Sequence, residues 1–127
     1  MFAKLELTRM AQDLAAHAGA RMGVIAQNIA NADTPGYRTR DIADFATLLA
    51  NGPQEMRSSR PGHLKEASER GPYQPFHSGG DAAPNGNDVS LELEMVKSAS
   101  TRQEHEMALA IYRATSGVIR ASLGSRG

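Results

Sequence analysis

The chain has 127 residues, enough for one domain or less, with 40% hydrophobic residues, 5% aromatics and no tryptophan. Lys plus Arg and Asp plus Glu both number 14, so the formal charge is zero and the basic excess of a phosphate-driven nucleic-acid binder is missing. With no cysteine there is no disulfide or thiol chemistry. The apolar residues are chiefly Leu, Ile, Val, Met and Ala, which suits helix-on-helix packing better than a sandwich or an α/β sheet. No run of about 18 apolar residues is present to span a membrane. The N-terminal stretch carries charges throughout and lacks the apolar region of a cleaved secretory signal. If the protein works outside the cytoplasm, another export route must carry it.

All six prolines lie between Pro35 and Pro84. Proline removes a donor and clashes with the preceding turn, so the two ends are free to be helical and the middle is not. Four segments follow: an N-terminal helix over 1–32, a turn and short helix over 33–52, an irregular stretch over 53–86 and a C-terminal helix over 87–124. In the first, Leu7, Ala11, Leu14, Ala18, Met22, Ile25 and Ile29 recur at spacings of three and four, a helical stripe. Gly19 and Gly23 each cost roughly 1 kcal/mol of helix propensity. With the neighbouring alanines they also make a slim surface that another helix can approach.

The helix is expected to end near Asn31, because Thr34 precedes a proline and is pushed toward extended geometry. Thr34-Pro35-Gly36-Tyr37 reads as a type II turn, with Gly36 where φ is positive. Asp41 is expected to cap a short helix with Ile42, Phe45, Leu48 and Leu49 on one face. Residues 53–86 show no periodic apolar stripe, with only Leu64, Tyr73 and Phe76 as anchors. This predicts a long, partly disordered middle loop. Asp88 is then expected to cap the last helix, with Glu92 and Glu94 favouring its positive end. Val89, Leu93, Val96, Ser100, Gln103, Met107, Ile111, Ala114 and Val118 continue it at spacings of three and four.

The expected fold is all-α, two long terminal helices pairing as a coiled-coil-like hairpin around an irregular middle. Met22, Ile25 and Ile29 are expected to pack against Met107, Ile111 and Val118. Such a hairpin is a thin core for a chain of this size. The remaining apolar surface, including that of Leu14 and Val96, is therefore assigned to contacts with other chains.

Chemistry is hard to find. His17, His63, His77 and His105 lack metal spacing, and His105-Glu106 has no second His to complete a zincin motif. His17 and His105 read as packing or helix-surface residues. Asp41 and Asp44 are explained by capping and first-turn charge, and Glu92, Glu94, Glu104 and Glu106 with Lys97 and Arg102 by a salt-bridging face. Arg57, Arg60, Lys65 and Arg70 form a diffuse basic stretch that reads first as solubility. No phosphate loop, dinucleotide fingerprint or nucleophile elbow is present. No catalytic, cofactor-binding or metal-binding residue is assigned, so no enzyme, small-molecule substrate or nucleic-acid partner is expected.

Asn28-Ile29-Ala30-Asn31-Ala32-Asp33-Thr34-Pro35-Gly36-Tyr37 resembles the N-terminal signature of flagellar rod and hook proteins. Arg40-Asp41-Ile42-Ala43-Asp44-Phe45 is similar to the R-D-x-D-F continuation of the proximal rod subunits, with one extra residue. Gly86-Asn87-Asp88-Val89-Ser90-Leu91-Glu92-Leu93-Glu94-Met95 is similar to their G-N-x-V-x-L-x-x-E-M stretch, and His63-Leu64 is a weaker likeness. The short middle favours this subunit over larger distal rod and hook proteins. The resemblance covers about two-thirds of the chain. It implies a non-enzymatic subunit of the flagellar basal-body rod, with Asn28, Asn31, Thr34, Pro35, Gly36 and Tyr37 as structural motif. It implies export through the flagellar type III apparatus without a cleaved signal. It also implies assembly in the periplasmic span, with self-association in a helical array. The implied partners are other rod subunits and the base of the rod, near the inner-membrane ring and export gate. The competing expectation is a soluble helical adaptor or export-chaperone-like module, which would be a stable folded monomer or dimer at all concentrations.

Overall fold

The computed structural model describes residues 2–50 and 73–124. Helix α1 runs Phe2–Ala30, strand β1 Arg40–Asp41, helix α2 Phe45–Ala50, strand β2 Phe76–His77 and helix α3 Leu91–Gly124. Asn28, near the end of α1, bonds Glu94, in the first turns of α3, so the two long helices pair antiparallel. The protein is thus mostly helical, as the proline distribution predicts. At 34 residues, α3 is roughly 50 Å long. Two short strands pair antiparallel beside the hairpin, with Arg40 opposite His77 and Asp41 opposite Phe76.

The seam between the long helices has a regular seven-residue repeat. On α1 the buried positions include Ala11, Ala18 and Ile25; on α3 they are Glu94, Thr101, Ala108 and Thr115. A strict seven-residue repeat is the signature of a left-handed coiled coil. Small side chains dominate both sides, which lets the backbones approach closely. The outcome differs from the expected stripe. Ile25 is buried and Leu14, Met22 and Ile111 are half-buried. Val96, Met107 and Val118, however, are 65%, 51% and 46% exposed, and Ile29 is 39% exposed. The stripe read by apolar character lies on a face of α3 adjoining the seam. Glu94 and the two threonines, small or satisfied by hydrogen bonds, take the buried positions.

Two capping expectations are corrected. Asp88 does not cap α3. Ser90 does, accepting a long hydrogen bond of 3.4 Å from the Leu93 N–H through Oγ and one of 2.9 Å from the Glu94 N–H through its carbonyl. Asp41 does not cap α2, which begins at Phe45 with the Asp44 carbonyl accepting from the Leu48 N–H. Both aspartates are instead buried in ion pairs. The part of the middle segment from Tyr73 to Gly86 is tied to the hairpin by β2, Ser78 and Tyr73. Within it, Phe76 is exposed. The expectations for Leu64, His63 and the basic residues Arg57, Arg60, Lys65 and Arg70 lie outside the described residues.

Candidate functional site at the closed end of the hairpin

The Thr34–Tyr37 turn closes as predicted. The Tyr37 N–H donates to the Thr34 carbonyl at 3.2 Å, and Gly36 has φ of 75°. This is type II geometry, in which only glycine fits the third position without strain. Asn31 ends α1: its Nδ2 donates to the Gln27 carbonyl at 2.8 Å, and its Oδ1 accepts from Thr34 Oγ1 at 3.2 Å. Pro35 supplies the fixed φ of the second turn position.

A second turn, Ala83 to Gly86, closes through the Gly86 N–H and the Ala83 carbonyl at 2.8 Å. The two turns clasp one another. The Gly36 N–H donates to the Asn85 carbonyl at 3.0 Å, and a Cβ on Gly86 (φ 84°) would stand 3.3 Å from the Gly36 Cα. Asn87 stitches the clasp: its Nδ2 donates to the carbonyls of Asn31 and Thr34 at 2.9 and 2.8 Å.

Asn28 is the centre of this end and is fully buried. Its Nδ2 donates to the Arg40 carbonyl at 2.7 Å and to Glu94 Oε2 at 3.0 Å. Its Oδ1 accepts from Tyr37 OH at 3.0 Å and from the Arg40 N–H at 3.1 Å. A side-chain amide has two donors and two acceptor positions, and here all four are used. One residue therefore joins α1, the turn, β1 and α3.

Charged groups extend the network. Lys97 Nζ lies 3.3 Å from Glu94 Oε1 and 3.7 Å from Asp41 Oδ2. Arg21 grips Asp41 with two bonds of 3.1 Å, the bidentate geometry that makes such pairs strong. Burial pushes the Asp41 carboxyl upward, but the hydrogen bonds from Arg21 and the Ile42 N–H outweigh it and hold its pKa below the usual value. The hydrogen bond to Asp41 in turn raises the pKa of Arg21. Asp88 is enclosed in the same way. Its Oδ1 accepts from the Thr39 N–H at 2.6 Å and Thr39 Oγ1 at 2.9 Å, and its Oδ2 meets His77 Nε2 at 2.6 Å and Arg38 Nε at 3.4 Å. Burial opposes ionisation there too, yet these donors hold its pKa at about 2. A side chain on Gly79 would collide with that carboxylate. Among the described residues no cluster of ligands suited to a metal ion occurs, and no helix is long and apolar enough to cross a membrane.

The closed end thus brings together Asn28, Asn31, Thr34, Pro35, Gly36 and Tyr37. It also recruits Glu94, Asn87, Asp88, Arg21 and Asp41, whose roles were not read from the sequence. Residues 15–38, which hold the end of α1 and the turn, match the family model for flagella basal body rod proteins. The chain is 27% identical over 115 residues to the flagellar basal body rod protein FlgB of Agrobacterium fabrum, covering 86% of each chain. It is 32% identical over 121 residues to FlgB of Escherichia coli, covering 81% of this chain and 80% of the relative. FlgB of Cereibacter sphaeroides is 31% identical over 114 residues, with 82% and 84% covered. The chain belongs to the FlgB family of flagellar basal body rod proteins. The family match takes in the second half of α1 and the Thr34–Tyr37 half of the clasp.

Proposed function

We propose that this FlgB-family chain is a non-enzymatic structural subunit of the flagellar rod, in which paired helices bury their outward faces against neighbouring subunits. One observation carries the reading. Large apolar side chains stand exposed along both helices: Phe2, Leu5, Leu7 and Met10 on α1, and Leu93, Val96, Met107 and Val118 on α3. Rows of exposed apolar residues on this scale mark interaction surfaces. Leu14, Met22 and Ile111, half-buried, and Ile29, 39% exposed, would pack both on the hairpin and on a neighbour in the assembly, while Ile25 lies within the seam.

A rod is an open helical array, which needs heterologous contacts that do not close. Two helices with different outward faces meet that need. The partners in this reading are sister copies, other rod subunits and the base of the rod near the inner-membrane ring and export gate. Its place in this reading is the periplasmic span of the basal body, reached through type III export.

The test is a triple variant, Val96→Glu, Met107→Glu and Val118→Glu, expressed in a strain lacking the native subunit. The helices should still form by circular dichroism, because none of the three lies in the seam. Cells should lose rods and swimming. Normal motility with this variant would refute the assignment of α3's outer face to assembly.

A further inference from the structure

Asn85-Gly86, in the second turn of the clasp, is a pair of residues that can react with itself. Gly86 has no Cβ to shield its nitrogen from the side-chain amide of the residue before it. In a free chain the Gly86 nitrogen gives its proton to a solvent base and attacks Asn85 Cγ. The Cγ–Nδ2 bond breaks, ammonia leaves and a cyclic imide closes. Water then opens the imide at either carbonyl. One opening leaves aspartate; the other leaves isoaspartate, in which the backbone runs through the former side chain. Water enters, ammonia leaves, and nothing is oxidised or reduced.

The folded clasp holds the reacting atoms still. The Asn85 carbonyl accepts from the Gly36 N–H at 3.0 Å, and the Gly86 N–H donates to the Ala83 carbonyl at 2.8 Å. These are the two ends of one planar peptide group, which cannot turn without breaking both bonds. The side chain is pinned as well, with Asn85 Oδ1 accepting from the Asn87 N–H at 3.1 Å. Asn87 is itself buried and anchored to the Asn31 and Thr34 carbonyls. Attack requires the Gly86 nitrogen to lose the proton it is donating and the Asn85 side chain to swing toward it, so these bonds must break first. Asn85 is exposed, so water reaches it once they do.

We propose that Asn85-Gly86 is a self-modification site gated by the clasp: Asn85 converts to aspartate or isoaspartate only while the two turns are apart. The rate is then the unfolded-chain rate multiplied by the fraction of time the clasp stands open. The isoaspartyl product adds a carbon to the backbone between residues 85 and 86. It also turns the carbonyl that accepts from Gly36 into a free carboxylate branch. That clasp no longer closes in the same register, so the change is a one-way record of opening at the end where α1 and α3 are joined. The site goes beyond the rod-subunit reading and does not depend on it.

The test incubates the full chain in mildly alkaline buffer, folded and unfolded in urea, and follows the tryptic peptide 71–97 by mass spectrometry. That peptide separates Asn85 from the other Asn-Gly pair, Asn51-Gly52. Conversion at Asn85 should be at least about tenfold slower in the folded chain. Gly36→Val strains the facing turn at its positive φ and leaves the reacting pair unchanged. It should bring the rate close to the unfolded value while circular dichroism shows the helices intact. In the isoaspartyl form, separated by chromatography, the Gly36 and Gly86 amides should exchange at least about tenfold faster than in the unmodified chain. Equal rates in the folded and unfolded chain, or slow conversion in a helical Gly36→Val, would overturn the gate. Unchanged protection of those two amides in the isoaspartyl form would overturn the one-way record. Should Gly36→Val lose its helices, the comparison of folded and unfolded chain decides the gate alone.

Discussion

Asn28 uses every hydrogen-bonding position of its amide inside the protein. A single net hydrogen bond contributes about 1 kcal/mol, and a buried partner left without one costs more. Asn28→Ala removes four bonds and takes this partner from the Tyr37 hydroxyl, the Arg40 N–H and carbonyl and Glu94 Oε2, while Lys97 still pairs with Glu94 Oε1. It should therefore destabilise the hairpin by about 3 kcal/mol in urea denaturation. A loss below about 0.5 kcal/mol, the range of a neutral surface change, would show that the hub is not structural. Asp88 gives a second residue-scale expectation. Its folded pKa of about 2 lies below the ordinary aspartate value of 3.8, so the folded state binds this proton more weakly than the unfolded state. Its stabilisation is complete above about pH 4 and is lost as pH falls toward about 2. Acid unfolding followed by circular dichroism should show that slope, and Asp88→Asn should flatten it. Neither role is legible in the sequence, where Asp88 and Asp41 stand beside helix starts and look like caps. What separates a cap from a buried ion pair is the arrival of Thr39 and His77, or of Arg21, from far along the chain.

At the scale of the elements, proline and glycine placement carried most of the reading. Both long helices and the turn at Gly36 follow from local chemistry, because helix periodicity and a positive φ are decided within a few residues. The seam was not legible in the same way. Apolar periodicity pointed to Val96, Met107 and Val118, whereas the buried repeat on α3 is Glu94, Thr101, Ala108 and Thr115. A helix that packs closely selects side chains by size, so hydrophobicity alone misplaces the face by part of a turn. The seven-residue recurrence of small residues was the available signal. Thr101 shows that the fit is by volume, since its buried hydroxyl has no hydrogen-bond partner among the described residues. Thr101→Val keeps the shape and removes that unpaired group. It should stabilise by about 1 kcal/mol, seen as a raised Tm. A lowered Tm would mean that the hydroxyl is satisfied in solution. The strands β1 and β2 escaped the sequence reading because each has two residues and exists only through the other.

For the whole molecule, the balance of buried and exposed surface decides function. The closed end is dense with satisfied polar contacts, while the outer faces of both helices carry apolar residues that a self-sufficient monomer would bury. The family likeness and this imbalance lead to the same reading. In that reading a folded clasp sets the geometry of the hairpin, and neighbouring subunits would cover the outer faces. The chain lacks cysteine, so single introduced thiols report on each face without background. Met107→Cys and Val118→Cys on the outer face, with Ala108→Cys in the seam, can be labelled with maleimide in the free chain and in isolated basal bodies. The account predicts fast labelling at 107 and 118 and slow labelling at 108 in the free chain, with strong protection at all three once rods assemble. Continued fast labelling of residues 107 and 118 in assembled basal bodies would contradict it.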